Sequence, residues 1–222
     1  MANKITGKTK LIFIANPNNP TGTINTDAEM DAFMKRVPEN VLVVVDEAYL
    51  EYLPADDCPA TLGWLAAFPN LIVCRTFSKM YGLAGLRVGY AISHPGVAEL
   101  LNRVRQPFNV NGLAQVAALA ALDARDHVLR SQDVNRHGLA QLRTGLMEFG
   151  WAVAPSAGNF VLADTGAPAA PWYEGLLRAG VIVRPVASYG LPQHLRITVG
   201  LPEQNDRLLQ ALGQLRQRGV GG

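Results

Sequence analysis

The fold is most clearly indicated by residues 71–90, which read LIVCRTFSKMYGLAGLRVGY. The apolar start of this stretch is typical of a buried β-strand. Lys79 follows two hydroxyl residues, Thr76 and Ser78, where that strand is expected to end, and Arg87 comes eight residues later. We expect a lysine in this position to be desolvated, unlike one on a solvated helix face, and a desolvated amine can form a Schiff base. Two hydroxyls and a guanidinium close by suit a phosphate group.

Together these features predict a site for pyridoxal phosphate, an aldehyde that carries a phosphate. A simpler explanation is also open, because most lysines are solvated surface charges. The pair Ser78-Lys79 is a weak signal by itself, and Gly82, Gly85 and Gly89 do not have the spacing of a dinucleotide-binding loop. Other segments of the chain decide between the two explanations.

The composition is that of an ordinary globular protein. The 222 residues are 49% hydrophobic and 17% charged, enough for one large domain or two small ones. The formal charge of +2 gives no basic stripe for nucleic acid. Cys58 and Cys74 lack the spacing of a metal or redox motif, so a reducing, cytoplasmic compartment is the simpler expectation. The first apolar run, residues 11–15, is far too short to span a membrane, and we expect no membrane partner.

Apolar runs predict four strands, at residues 11–15, 41–45, 71–74 and 86–92. The runs are mostly continuous, as expected for strands that are buried on both faces. Helices are predicted between the first three strands: one begins with the capping box of Thr26 and Glu29, and a second covers residues 61–68. This alternation predicts an α/β layer with a largely parallel sheet, whose ligands bind at the carboxyl ends of the strands.

The pattern changes after His94. Helical periodicity predicts long helices, at residues 95–105, 112–122 and 126–149. Short strands are predicted at residues 151–154, 159–163, 181–184 and 195–199, with helices at residues 170–179 and 203–217. These elements indicate a smaller α+β unit, and we expect the first domain to cover residues 1–108 and the second to cover residues 109–222.

Two other strand ends carry polar side chains. Asn19 lies in a proline-rich loop after the first strand, and we expect this rigid loop, in which one X-Pro bond is predicted to be cis, to direct the Asn19 amide at a ligand. Asp46 follows the second strand, where its carboxylate suits the pyridine nitrogen of pyridoxal phosphate. Tyr49 is placed to donate to the phenolic oxygen of the ring. Each residue also has a simpler interpretation. Asn19 could lie in a plain loop, Asp46 could belong to a solvated acidic strand end or a metal-ligating pair, and Tyr49 could be a packing residue.

Three motifs in this order resemble the fold-type-I pyridoxal-phosphate aminotransferases, the aspartate aminotransferase superfamily. They are NNPTG at residues 18–22, DEAY at residues 46–49, and SK at residues 78–79 with GLRVG at residues 85–89. Within the superfamily, the chain is most similar to histidinol-phosphate aminotransferases. Further segments that carry this similarity are IFIANPNNPTG at residues 12–22, RQPFNVN at residues 105–111, GNF at residues 158–160 and LRITVG at residues 195–200.

The resemblance implies a role for each matching residue. Lys79 is the implied catalytic residue, which binds the cofactor covalently and transfers the substrate proton. The implied cofactor-binding residues are Asn19, Asp46, Tyr49, Thr76, Ser78, Lys79 and Arg87. The implied substrate-binding residues are Arg196, for a carboxylate, Asn159, and Arg184, for a phosphate. No metal is implied.

The implied function is transamination of histidinol phosphate with 2-oxoglutarate, in a cytoplasmic homodimer. The resemblance also implies that the N-terminal part of these enzymes is missing here, with the aromatic residue that stacks on the cofactor ring. Its loss would bare apolar sheet edges, so we expect transamination by this chain to be impaired. Alternatives are an aromatic aminotransferase, an enzyme like threonine-phosphate decarboxylase, or a non-catalytic remnant.

Overall fold

A computed structural model describes residues 1–221 and consists of two compact units. The first unit comprises residues 1–17 and 24–129, and the second comprises residues 18–23 together with the chain from Arg130 onward. The structure therefore divides inside a long helix, about twenty residues after the position 108/109 expected from the sequence. The short segment 18–23 was not expected to join the second unit, and its polar turn sequence gives no sign of it.

The first unit contains a sheet of four strands in the order β1-β2-β3-β4. The strands are β1 (Leu11–Ala15), β2 (Leu42–Asp46), β3 (Leu71–Thr76) and β4 (Gly89–Ser93). β1, β2 and β3 are parallel, as the sequence predicts, whereas β4 is antiparallel to β3. The twelve residues between β3 and β4 contain a short 3-10 helix, Ala84–Leu86, instead of the α-helix that usually forms a parallel crossover, so β4 returns antiparallel.

Three α-helices belong wholly to the first unit: α1 (Asp27–Met34), α2 (Pro95–Val104) and α3 (Gly112–Leu122). The helix predicted near residues 61–68 is a 3-10 helix, Thr61–Ala66. Helix α1 packs on one face of the sheet, the core face, where Met30 and Met34 meet a buried cluster. The core face carries Ile14, Val43, Val45, Leu71 and Val73.

The other face of the sheet, the outer face, carries the alternate side chains. Parallel register places Leu11, Phe13 and Asp46 on this face. The Phe13 side chain is 69% exposed, so the prediction that both faces of the strands are buried is wrong for β1. β2 shows the same division, because Val43 and Val45 on the core face are buried, whereas Leu42 and Val44 on the outer face are only half-buried.

The second unit contains an antiparallel sheet in the order β5-β6-β8-β7. The strands are β5 (Ala152–Val153), β6 (Phe160–Asp164), β7 (Arg184–Val186) and β8 (Leu191–Thr198). The predicted strand at residues 181–184 lies too early, because the Val181 N–H donates to the Leu176 carbonyl at the end of the preceding helix instead of joining the sheet.

Helices α4 (Arg125–Glu148), α5 (Ala170–Arg178) and α6 (Pro202–Gln217) complete the chain. Only the part of α4 from Arg130 onward belongs to the second unit. Its core joins these helices to the sheet face that carries Val161, Ala163, Leu195 and Ile197. Across residues 1–221, no helix is both long enough and apolar enough to cross a membrane.

The start of α1 gives a test of the local structure. The Thr26 hydroxyl accepts from the Glu29 N–H at 3.3 Å, and a Glu29 carboxylate oxygen accepts from the Thr26 N–H at 2.8 Å. We expect Thr26→Ala to lower the free energy of unfolding by about 1 kcal/mol, because it removes this cap. Urea denaturation measures the change. Thr26→Ser keeps the oxygen and should resemble the parent chain; equal losses in both variants would contradict the capping role.

Candidate active site

A cavity of about 470 Å³ lies in the first unit at the carboxyl ends of β2 and β3. It brings together five of the residues singled out from the sequence. These residues are Asp46, Thr76, Ser78, Lys79 and Arg87. The parallel register places Asp46 opposite Cys74, so side chains that are almost thirty positions apart in sequence meet at one edge of the sheet.

Lys79 lies in the turn that follows β3. Gly82 closes the turn: its N–H donates to the Lys79 carbonyl at 3.0 Å, and its φ of 69° suits glycine. The Lys79 side chain is exposed, and its Nζ lies 5.5 Å from the centre of the Tyr49 ring. The expected desolvation of Lys79 is therefore not found in this structure, because the turn holds the amine at the open side of the cavity.

Asp46 and Tyr49 lie on the segment that leaves β2. The exposed Asp46 accepts a hydrogen bond from the Ala48 N–H at 3.1 Å, which fixes the carboxylate in a local turn. Tyr49 is buried beside the cavity, with its ring facing the Lys79 amine. Burial raises the pKa of the nearby Cys74 thiol, and the charge of Asp46 raises it further. Cys74 therefore stays a neutral thiol.

The remaining cavity residues present groups that suit an anion. The Thr76 hydroxyl accepts from the Ser78 N–H at 3.0 Å, which shapes the first bend after β3. Arg87 has left-handed backbone torsions, φ 53° and ψ 51°, which are uncommon outside glycine. One Arg87 nitrogen donates to the Ala84 carbonyl at 2.8 Å. Two hydroxyls and a guanidinium therefore line the same cavity as Lys79.

The other predicted residues lie in the second unit. Arg196, on β8, donates from Nη1 to Asn19 Oδ1 at 2.7 Å and lies over the Phe160 ring at 5.1 Å. Arg184, on β7, is the direct cross-strand partner of Arg196. The Asn159 carbonyl accepts from the Val199 N–H at 2.9 Å, which sets its loop against the end of the sheet. Asn19 and Arg196 thus meet, although they are 177 positions apart.

The loop that carries Asn19 contains two cis peptide bonds, Asn16-Pro17 and Asn19-Pro20. The sequence predicted one cis X-Pro bond in this segment. Asn16 is buried in the first unit, where its Oδ1 accepts from the Asn25 N–H at 2.7 Å. The Gly22 carbonyl accepts from the Ala157 N–H at 2.8 Å, a bond within the second unit.

Sequence reasoning missed an ion pair at the wall of the cavity, between the buried Glu47 and Arg75, whose side chain is 19% exposed. Arg75 donates from Nε to a Glu47 carboxylate oxygen at 2.9 Å, and the Thr61 hydroxyl donates to the other oxygen. Burial by itself disfavours the charged Arg75 guanidinium, but the charge of Glu47 and its hydrogen bond outweigh this and raise the Arg75 pKa. The signal for the pair was side-chain alternation, which puts Glu47 on the core face directly after Asp46.

A second missed contact involves the first turn of α4. The imidazole Nε2 of His127 donates to the Met80 carbonyl at 2.9 Å. Met80 directly follows Lys79 and is buried, so this bond ties the lysine turn to the helix. No local sequence pattern predicts it, because the two residues are 47 positions apart.

The fold is that of an aminotransferase. The sequence pattern of the family "Aminotransferase class I and II" matches residues 1–212, and the chain belongs to this family. Its relatives include histidinol-phosphate aminotransferase 2 of Pseudomonas fluorescens strain Pf0-1, with 56% identity over 97% of this chain and 58% of the relative. Histidinol-phosphate aminotransferase 1 of Nitrosococcus oceani is 52% identical over 96% of this chain and 57% of the relative.

Solved structures agree with this membership. Histidinol-phosphate aminotransferase from Sinorhizobium meliloti, in complex with pyridoxal-5'-phosphate, matches with a TM-score of 0.87 and 33% identity. This match covers 94% of the present chain and 58% of the Sinorhizobium chain. The present chain therefore spans somewhat less than three fifths of the length of these relatives.

The backbone of Arg87 gives a test of the site. Left-handed torsions cost a non-glycine residue about 1 kcal/mol, so we expect Arg87→Gly to raise the free energy of unfolding by up to about 1 kcal/mol. Arg105→Gly is the matched control, because Arg105 has an ordinary φ of −65°. Glycine there adds freedom to the unfolded chain and, as at position 87, removes exposed side-chain hydrogen bonds. Urea denaturation compares the two variants; a loss of similar size in both would show that Arg87 is not strained.

Proposed function

We propose that this protein is a pyridoxal-phosphate-dependent aminotransferase that transfers the amino group of histidinol phosphate to 2-oxoglutarate in histidine biosynthesis. The observation that carries the proposal is the cavity in which Lys79 lies with Asp46 and Arg87. Relatives named histidinol-phosphate aminotransferase support the substrate, and the Sinorhizobium meliloti structure with its bound cofactor supports the cofactor.

The cavity residues fit the groups of pyridoxal phosphate. Its volume of about 470 Å³ lies in the usual range for small-molecule sites. We assign the phosphate to Thr76, Ser78 and Arg87, whose hydroxyls and guanidinium are suitable donors. The Asp46 carboxylate would hold the proton on the pyridine nitrogen. With that proton in place, the bound cofactor supplies an electron sink for the substrate carbon.

We assign two tasks to the Lys79 amine. Its exposed Nζ would hold the cofactor covalently through the aldehyde carbon, with release of water, and a substrate amine would displace it. Once displaced, the neutral amine accepts the proton from the substrate carbon and returns it in the next step. The Tyr49 ring beside Nζ favours positions of the ammonium form over its face. Tyr49 and Asn19 are proposed to bind the ring oxygen.

The paired arginines of the second unit support an anionic substrate. Arg184 and Arg196 lie directly opposite each other on β7 and β8, an arrangement in which two like charges repel. An anion between such side chains removes this repulsion. Arg196 Nε is also buried, without a hydrogen-bond partner among the described residues. We propose that Arg196 binds a substrate carboxylate, that Arg184 binds a substrate phosphate and that Asn159 contributes to the same pocket.

Covalent trapping on Lys79 tests the proposed chemistry. We expect pyridoxal phosphate to give the chain a visible absorption band, and borohydride to fix the cofactor on the peptide that contains Lys79. Lys79→Ala should lose both signals, whereas Lys35→Ala, which changes an exposed lysine on the surface, should keep them. Mass spectrometry locates the adduct. Labelling of the parent chain elsewhere, or none at all, would rule out Lys79 as the cofactor lysine.

The same preparation tests the substrate. Turnover of histidinol phosphate with 2-oxoglutarate should depend on Lys79, and the full-length Pseudomonas fluorescens relative is the reference for the rate. Turnover of phenylalanine alone would favour an aromatic aminotransferase. Carbon dioxide release from threonine phosphate would favour a decarboxylase.

We further propose that the protein acts in the cytoplasm as a homodimer. Support comes from the apolar side chains that helices α2 and α3 expose. They include Leu100, Val104, Leu113, Val116 and Leu119. Leu119 also lines an apolar groove of about 620 Å³ that contains Phe77 and Val110. Exposed apolar side chains beside such a groove are typical of a protein interface.

Replacement of Leu119 tests the dimer. We expect Leu119→Ser to weaken self-association, because it removes apolar area from the proposed interface. Sedimentation velocity over a range of protein concentrations measures the change. Leu177→Ser is the control, since Leu177 is an exposed leucine on α5. A parent chain that stays monomeric, or equal effects of both variants, would contradict the assignment of this surface.

A further inference from the structure

Glu47 and Arg75 form a buried ion pair that no part of the proposed chemistry uses. We propose that this pair is a positioning device, which fixes the ends of β2 and β3 relative to each other and thereby sets the geometry of Asp46 and Thr76 in the cavity. The inference rests on the proposed function for the identity of the cofactor. The positioning of the two strand ends itself needs no cofactor.

The contacts of Glu47 tie three segments together. Its side chain is 1% exposed, and its two carboxylate oxygens accept from Arg75 Nε and from the Thr61 hydroxyl. Its backbone N–H donates to the Cys74 carbonyl at 2.9 Å. One residue earlier, the Asp46 carbonyl accepts from the Asn16 N–H at 2.9 Å. The end of β2 is therefore bonded to the end of β1, the end of β3 and the 3-10 helix at residues 61–66.

Each member of the pair is the sequence neighbour of a cavity residue, and Arg75 itself also lines the cavity. Glu47 follows Asp46, and Arg75 precedes Thr76. Consecutive residues of an extended chain point to opposite faces, so a rotation that moves Glu47 on the core face also moves Asp46 on the outer face. The ion pair thus acts on the cavity through two peptide units, one on each strand.

Stability alone does not explain a buried pair. Removing two charges from water is costly, and well-packed apolar residues of similar volume often stabilise a core equally or better. What an ion pair adds is direction, because the Arg75 Nε–H and the Glu47 oxygen meet at 2.9 Å only in one orientation. The exposed pair Glu99–Arg103 on α2 does not fix the orientation of its elements in this way, since both of its side chains are 65% exposed.

The charged and titratable groups around the pair do not compete with Glu47 for the Arg75 guanidinium. Tyr90, the cross-strand partner of Arg75, also bonds the guanidinium, and burial raises the pKa of the nearby Glu51 carboxyl. Burial also raises the pKa values of Cys58 and Tyr81 close by, which keeps both groups neutral. Glu47 bonds Arg75 directly, at 2.9 Å.

The decisive variant replaces both charges by apolar side chains, Glu47→Leu with Arg75→Met. If the pair only filled space, this double variant would unfold at a temperature no lower than that of the parent chain and bind pyridoxal phosphate with equal affinity. The positioning role predicts that the double variant stays folded but binds pyridoxal phosphate on the order of tenfold more weakly. Because Arg75 also lines the cavity, Glu47→Gln, which keeps the guanidinium, should weaken binding as well. Weaker binding only in the variant that lacks Arg75 would mean a direct contact with the cofactor and would overturn the proposal. Glu99→Gln, which breaks the exposed pair, is the matched control and should leave the affinity unchanged.

Amide hydrogen exchange on the cofactor-free chain provides the second measurement. In Glu47→Gln, the amides of Asn16 and Glu47 should exchange about tenfold faster, because they report the bonds at the strand ends. The Val43 amide, bonded to the Asn70 carbonyl at the other end of β2, should keep its rate. Equal acceleration of all three would mean general destabilisation and would overturn the proposal.

The two measurements separate the inference from the proposed function. If the parent chain binds no pyridoxal phosphate, the cofactor assignment fails, and hydrogen exchange alone decides whether the pair positions the strand ends. If the double variant does not fold, Glu47→Gln takes its place in the binding experiment. Unchanged cofactor affinity together with unchanged exchange at Asn16 and Glu47 would refute the positioning role.

Discussion

The parallel pairing of β2 with β3 is the constraint on which the candidate site depends. It sets Asp46 opposite Cys74, so both strands end at the same edge of the sheet. The turn after β3 then carries Lys79 back beside Asp46, and the antiparallel return of β4 brings Arg87 to the same cavity. A slip of one residue in this pairing would move Asp46 to the core face, where its carboxylate would be buried among apolar side chains.

The two faces of this sheet separate charges by role. On the core face, Glu47 is buried and bonded to Arg75, whereas Asp46 on the outer face is exposed to whatever enters the cavity. The same alternation that makes a strand half-buried therefore provides one structural carboxylate and one available carboxylate from adjacent residues. The dipeptide Asp46-Glu47 is a single sequence feature with two physical functions.

Much of the fold followed from sequence patterns because those patterns are local. Apolar runs located the strands of the first unit, and the Thr26–Glu29 spacing located the start of α1. Non-local features were less accessible: the exposed Lys79 amine depends on how the whole turn is held. The exposure of Phe13 likewise depends on which elements cover the sheet, which the alternation of one strand does not specify.

The candidate site shows the same limit. Asp46 and Lys79 were found from their positions at strand ends, since the carboxyl ends of parallel strands collect ligands. Arg87 was found from its spacing to Lys79. The contact of Arg196 with Asn19 and the bond of His127 to Met80 join distant positions in the sequence, and no periodic sequence pattern predicts them. The roles proposed for Asn159 and Arg184 came from the family resemblance, because their local sequence by itself predicts only a strand or a loop.

The bond between Asn19 and Arg196 also bears on the order in which the chain folds. Segment 18–23 belongs to the second unit, yet its partner Arg196 is synthesised 177 positions later. The first unit has all of its residues once Leu129 has been added, whereas the second must wait for β8. Because synthesis runs from the N-terminus, Asn19 must therefore wait until Arg196 has been added before it can find this native neighbour.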